Sequence, residues 1–358
     1  MEEEFLLVQP DSGIPAAHAV GILDQAQPMT QAPESGTGPH PELLASMLET
    51  TTGICTTLAQ VREQLTAART RLATLAAAHD VRLLAAGTAA APAPPQTIFP
   101  TPHYQRMQRL YGHLVTEAAT CGCHVHVATP NKDASVAVIN HLRPWLPTLL
   151  ALSTNSPFHH GTDTGYASWR IIALSRWPTT HLPPHFASAA HYDDTLNALH
   201  TAGVLPPGAN AYWLARPSLR LPTVEIRVAD TAPTVDEAVL QAGLSRALVR
   251  TALDHWADGH TALPPANSHM ENAALWTAAR YGINGPAIDP HTGQQVPAPQ
   301  LANTLLTMLR PALREAGDLD EIEYLLAQVL HHGTGADRQR RRTPEPGNSL
   351  VPTNQQQT

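Results

Sequence analysis

The chain has 358 residues, 43% of them hydrophobic, with 22 basic and 30 acidic side chains and a formal net charge of -8. It is long enough to bury a sizeable core in one domain or two, and too acidic for a general nucleic-acid binder. No run of 18 apolar residues is present, the opening Met1-Glu-Glu-Glu4 lacks the positive charge of a signal peptide, and three cysteines make no disulfide framework, so no membrane partner and a cytoplasmic setting are expected.

Glu2 to Val8 reads as a short strand running into the turn Gln9-Pro-Asp-Ser-Gly13. Glu2 and Glu4 share one of its faces and Glu3 takes the other. Residues 14–40 read as loop with a strand at 18–23. Pro41 to Glu49, with Leu44, Met47 and Leu48, has the spacing of a short helix that would project Glu42 and Glu49 from one face. Leu58, Val61, Leu65, Leu72 and Leu75 mark a long helix over 56–79, Val81 to Leu84 a strand, and 103–119 a further helix.

The stretch Thr120-Cys-Gly-Cys-His-Val-His-Val-Ala128 alternates with period two. One face carries Cys121, Cys123, Val125 and Val127, read as small core residues. The other carries Gly122, His124, His126 and Ala128, a pair of imidazoles beside small residues. Such a pair can bind a divalent metal or touch phosphate; equally, it can be two hydrogen-bonded histidines on a strand. A helix over 132–143 breaks at Arg143-Pro and resumes to 154. A polar loop, Asn155 to Arg170, has the composition of a binding loop. Ala211 to Ser218 reads as strand and turn. Leu221 to Asp230 is a second alternating strand, with Thr223, Glu225, Arg227 and Ala229 on one face and Val224, Ile226 and Val228 on the other. Glu225 and Arg227 make either a structural ion pair or ligands for a metal and a phosphate. Helices follow at 234–257, 269–281, 299–315 and 319–331. From Gly333 onward the chain is polar and basic and is expected to be disordered.

Glu2, Glu4, Glu42, Glu49, His124, His126, Glu225 and Arg227 are the exceptional positions. Five carboxylates and a histidine carry too much like charge for an apolar core unless they converge on divalent cations. Magnesium prefers oxygen ligands and is commonly shared with substrate phosphates, and carboxylate-held metals bridging ATP oxygens permit phosphoryl transfer without a P-loop. No P-loop motif is present, and Lys132 is the single lysine.

The order of E-E-E-F-L-L-V, E-x6-E-T-x-T-G, C-G-C-H-V-H-V, R-P-W-L-P, N-S-P-F, D-T-G-Y-A-S-W-R, R-P-S, P-T-V-E-I-R-V-A-D, A-A-R-Y-G and G-T-G-A-D-R-Q-R resembles the bacterial carboxylate–amine ligases grouped as glutamate–cysteine ligase type 2. The resemblance covers about residues 2–341. It implies an α+β, glutamine synthetase-like catalytic domain over 1–333: a curved antiparallel sheet lined with acids, helices on its back, and a tail at 334–358. It implies ATP and Mg2+ as cofactors and Glu2, Glu4, Glu42, Glu49, His124 and Glu225 as metal ligands. His126 and Arg227 would touch ATP phosphates, Arg227 and Arg170 would serve catalysis, and Arg143, Arg170 and Arg216 would meet substrate carboxylates. The expected partners are an amino-acid carboxylate and an amine, with a homodimer as an open assembly state.

The sequence departs from the family at three points. Met1 directly precedes Glu2, where the family strand begins earlier with a glycine two residues before the first acid. Gly87-Thr88-Ala89-Ala90 replaces G-T-H-P, and Thr179-Thr-His-Leu-Pro-Pro184 replaces a T-S/A-G-P-P-like loop. The expected reaction is phosphorylation of a carboxylate, that of the glutamate side chain foremost, followed by attack of an amine such as cysteine. The alternatives are a phosphotransferase of the same fold and an inactive relative that only binds.

Overall fold

The computed structural model describes residues 1–26, 38–265 and 267–343. In chain order the elements are β1 (Glu2–Val8), α1 (Ala19–Gln25), β2 (Gly38–Pro41), β3 (Met47–Thr51), α2 (Leu58–Ala77), β4 (Arg82–Leu84), α3 (Pro102–Tyr111) and β5 (Gly122–Ala128). Then come α4 (Lys132–Leu142), α5 (Leu146–Ser153), the ribbon β6 (Phe158–His159) and β7 (Thr162–Asp163), α6 (Trp169–Leu174), α7 (Ala189–Thr201), β8 (Ala215–Pro217) and β9 (Thr223–Asp230). The chain closes with α8 (Val235–Ala257), α9 (Ser268–Tyr281), the ribbon β10 (Pro286–Ile288) and β11 (Gln295–Pro297), α10 (Ala298–Ala316), α11 (Leu319–His332) and α12 (Gly335–Arg342).

One antiparallel sheet organises these elements, in the order β2-β3-β1-β5-β9-β8, with β4 joining the far end of β1. Period-two alternation gives the sheet two unlike faces. Val224, Ile226 and Val228 point from β9 into the largest apolar core, which α2, α4, α5 and α8 to α11 complete. Phe5, Leu7 and Leu48 meet Leu72 and Ala76 of α2 in a second cluster. Helix α2 starts where Thr57 and Gln60 form a capping box. It is tied to β1 by Arg69, whose Nε donates to Glu3 Oε2 at 3.0 Å. The opposite face of the sheet carries the acids and histidines. This is the expected α+β fold with helices behind an acid-lined antiparallel sheet.

Several local expectations are corrected. Residues 41–49 form no helix: β2 ends at Pro41 and β3 begins at Met47. Met47 and Leu48 therefore point to opposite faces, each into its own apolar cluster. The strand expected at 18–23 is helix α1, and residues 27–37 of the surrounding loop lie outside the described residues. The helix read over 103–119 ends at Tyr111, and a 3-10 turn over Gly112–Glu117 follows.

The tail is corrected too. Residues 335–342 form α12, whose Arg338 donates to Glu237 at 2.7 and 2.8 Å and whose Arg340 donates to Asp163 at 2.7 and 2.8 Å. Two opposed charges on separate elements give this basic segment somewhere to dock. The folded domain thus runs past the expected boundary at 333 to at least 342. Residues 344–358 lie outside the described residues. No helix among the described residues is long and apolar enough to cross a membrane.

Candidate active site

Five adjacent strands deliver the site. Antiparallel pairing sets Glu4 of β1 directly opposite Glu49 of β3, and Glu2 opposite His124 of β5. On the other side of β5, His126 pairs with Glu225 of β9, and Glu225 with Arg216 of β8. Residues directly opposite in such a ladder point the same way, so the register brings acids far apart in sequence onto one surface. Glu42, just past β2, completes the set, its Oε1 accepting from the Leu43 amide at 2.9 Å.

Two groups of ligand atoms result, Glu2–His124–Glu225 and Glu4–Glu42–Glu49, the atoms of each lying within 4.8 Å of one another. In the first, His124 Nδ1 is 3.2 Å from Glu2 Oε2 and 4.0 Å from Glu225 Oε1. His126 Nε2 lies 3.1 Å from Glu2 Oε1, near enough for an ion pair but out of line for a hydrogen bond. His126 Nδ1 is 3.0 Å from Thr223 Oγ1. In the second group Glu4 Oε2 accepts from the Gly122 amide at 2.6 Å. Among the described residues the buried His124 Nε2 has no hydrogen-bond partner, and Glu4 Oε1 stands 3.8 Å away.

The charges in the two groups are balanced differently. Burial pushes the Glu4, Glu42 and Glu49 carboxyls up, and Glu49 rises furthest because Glu2, Glu42 and Glu4 repel its charge as well. Burial also acts upward on Glu225, yet Arg227, Arg216 and His124 outweigh it and hold that carboxyl well below the usual range. Glu2 is likewise lowered despite its burial, by His124 and His126. Burial and the neighbouring Arg227 depress His124. Like charges facing each other across a ladder are destabilising; one buried and two half-buried carboxyls, with no arginine ion-paired to them among the described residues, form a donor set that suits a hard divalent cation.

The arginines divide. Arg227 pairs with Glu225, and its Nη1 lies 3.4 Å from His124 Nδ1. Arg216 grips the same carboxylate through Nε at 2.8 Å and Nη2 at 3.0 Å. Arg170 lies at the Gly122 end of the site, its side chain 3% exposed and its Nη atoms on the carbonyls of Arg227 and Val228. Arg143 is elsewhere. It pairs with Glu271, and this pair separates two cavities of about 530 and 680 Å³, neither of which is lined by any of the clustered acids. The structure thus gathers every sequence-predicted acid and both histidines, keeps Arg216 and Arg227 with them, and leaves out Arg143.

Cys121 and Cys123 are fully buried with their thiols pushed up by burial, in keeping with core residues. Three contributors escaped sequence reading. Thr223 was placed on the site face without a partner. Tyr104 donates to the Pro41 carbonyl at 3.1 Å beside Glu42, and its sequence position gives no hint of this. Asp230 was assigned no face, and the alternation put Ala229 on the site side instead.

Residues 1–357 match the model of the family described as Glutamate-cysteine ligase family 2 (GCS2). A Saccharopolyspora erythraea protein, provisionally named glutamate–cysteine ligase 2-2, is 44% identical over 341 residues, spanning 95% of this chain and 86% of its own. A provisionally named glutamate–cysteine ligase 2 of Salinispora arenicola is 42% identical over 341 residues, spanning 95% and 89%. Among solved structures, the Francisella tularensis glutamate–cysteine ligase, in complex with AMP, matches with a TM-score of 0.65 at 14% identity, covering 97% of this chain and 84% of that one. A bifunctional glutathione synthetase from Pasteurella multocida also gives 0.65, at 13% identity, over 95% of this chain and 48% of that one. At those identities the likeness is one of fold, the glutamine synthetase-like fold.

Fold, site and relatives together define an ATP-dependent ligase that joins a carboxylate to an amine. The chain belongs to glutamate-cysteine ligase family 2.

Proposed function

We propose that this ligase activates the side-chain carboxylate of glutamate with ATP and couples it to an amine such as that of cysteine. The observation that carries this reading is the convergence of five carboxylates and one imidazole in two ligand groups on a single sheet face, with Arg227 beside them. Glu2, His124 and Glu225 would hold one divalent cation and Glu4, Glu42 and Glu49 another, magnesium by the hardness of the donors. Cations held there would neutralise charge on the nucleotide phosphates.

The chain's own groups then position the reactants. Arg227 and His126, at the edge of the first group, face the place where phosphate oxygens would lie. An oxygen of the substrate carboxylate attacks the γ-phosphorus, the bond to the β-phosphate oxygen breaks, and ADP leaves. The amine nitrogen attacks the resulting acyl phosphate, loses a proton, and expels phosphate. Arg216 is the arginine nearest the site for a substrate carboxylate, and reaching one would require it to share its grip on Glu225.

Hydroxylamine tests the reaction without knowledge of the natural amine. Wild-type protein given ATP, magnesium, glutamate and hydroxylamine should form the γ-hydroxamate with one ADP per product. Hydroxamate from another amino acid but none from glutamate would reassign the carboxylate within the same ligase class. No hydroxamate from any carboxylate, with ATP left intact, would overturn the ligase reading.

Cation binding has its own readout. In the metal-free protein Glu4, Glu42 and Glu49 titrate above the ordinary 4.5. Groups raised on folding give stability that is complete below the unfolded value and is lost as pH climbs through the folded values. Magnesium should replace the bound protons and restore what is lost, so the melting gap between magnesium and chelator should widen as pH rises above about 4.5. A gap independent of pH would show that these carboxyls do not take the cation.

A further inference from the structure

Strands β5 and β9 are out of step by one residue. Cys123 pairs with Ala229 and Val125 with Ile226, so Arg227 and Val228 together face the single residue His124. This is a β-bulge, a device that re-aims side chains and interrupts the ladder. Beyond it the parity of β9 is reversed: Asp230, opposite Gly122, shares the face of Glu225, while Ala229 falls behind with Cys123.

A bulge disrupts the ladder locally, and here one side chain takes the bulged carbonyls. Arg170 Nη2 donates to the Arg227 carbonyl at 3.2 Å and Nη1 to the Val228 carbonyl at 3.3 Å. Arg170 is itself fixed from behind. Its amide donates to Ser156 Oγ at 3.0 Å, and Ser168 caps the helix that carries it. Asp230, fully buried, lies 3.8 Å from its guanidinium and accepts from the Asn155 amide, Ser156 Oγ and Ser168 Oγ at 2.7 to 2.8 Å. In front, the chain is cut away for it. A Cβ on Gly122 would sit 2.3 Å from Arg170 Nη2 and 3.0 Å from His124 Nε2.

We propose that Arg170 is a positioning residue that holds the β9 bulge and so sets the Arg227 guanidinium between Glu225 and His124. A guanidinium this buried, with both Nη atoms on backbone carbonyls, is not presented to a substrate carboxylate. Its kinetic consequence rests on the proposed phosphate role of Arg227; its structural consequence does not.

Arg170→Met removes both hydrogen bonds, and Arg170→Lys keeps the charge and can reach one carbonyl. In the ligand-free full-length protein, amide hydrogen exchange in 122–126 and 226–230 should quicken at least about tenfold in Arg170→Met, in line with loss of charged hydrogen bonds. Arg170→Lys should restore part of the protection, and should carry the measurement if the methionine variant does not fold. Gly122→Ala, which pushes on the guanidinium from the front, should quicken exchange in the same segments. Magnesium-ATP binding should weaken at least about tenfold in Arg170→Met while the KM for the carboxylate substrate moves less than about threefold. Unchanged exchange in both Arg170 variants overturns the proposal, as does a KM for the carboxylate raised tenfold with nucleotide binding intact. Exchange that quickens in the Arg170 variants while the wild-type protein itself shows no ligase turnover would uphold the bulge assignment and fault the functional reading instead.

Discussion

Glu225→Gln is expected to lower turnover in the hydroxamate reaction by at least about a hundredfold, the scale of losing a key electrostatic group. Glu225 is 4% exposed, and three partners converge on it: Arg216 through two bonds, Arg227, and His124 at 4.0 Å. It belongs to one of the two groups proposed to hold a cation and fixes two arginines at once. Glutamine keeps the shape but not the charge. It offers one acceptor oxygen where two were used, leaving buried guanidinium N–H groups short of partners at about 1–3 kcal/mol.

Some loss of stability should therefore accompany the loss of activity, and its pH dependence has a definite sign. The folded carboxyl titrates below its ordinary 4.5. Its contribution is present above about pH 4.5 and fades as pH falls through the lowered value. The melting difference between wild type and Glu225→Gln should accordingly be largest near neutrality and shrink in acid. Circular dichroism separates folding from chemistry. A folded variant with near wild-type turnover at saturating magnesium would remove Glu225 from the ligand set.

Glu3→Gln is expected to be the most destabilising change on β1, although Glu3 never faces the site. It is fully buried, and Arg69 of α2 is its counter-ion while also donating to the Ala232 carbonyl at 2.9 Å. Breaking one side of a buried ion pair typically costs about 3–5 kcal/mol, because the other charge stays buried without compensation. Arg69→Met should cost a similar amount. The double variant Glu3→Met with Arg69→Met should regain much of the loss, since a packed apolar pair often replaces a buried ion pair at little cost. Thermal melting over the four proteins gives the coupling directly. Equal, additive losses would mean that the pair does not hold α2 to the sheet. Turnover per folded molecule should change little, because the pair lies behind the reacting face.

The sequence alone determined the β5 face. Gly122, His124 and His126 lie on one side and Cys121 and Cys123 on the other, because period two is a property of the strand itself. The long helices were legible for the same reason: α2 and α8 need only their own apolar spacing and caps. The carboxylates could be named as a set from their improbability in an apolar chain and from family motifs, without knowledge of how they meet.

What the sequence left open is what depends on a partner strand. Leu44, Met47 and Leu48 have helix-like spacing, and only the pairing of β3 with β1 and β2 makes Glu49 face Glu4. Arg216 and Arg170, both read as substrate ligands, are claimed by Glu225 and by the bulge carbonyls, contacts made from other elements. Alternation placed Ala229 on the site face; the bulge opposite His124 gives that place to Asp230. A bulge changes the pairing of two strands about a hundred residues apart while leaving each strand's local pattern readable. Strand register is therefore fixed by hydrogen bonds and burial between distant segments, and it decides which acids share a surface.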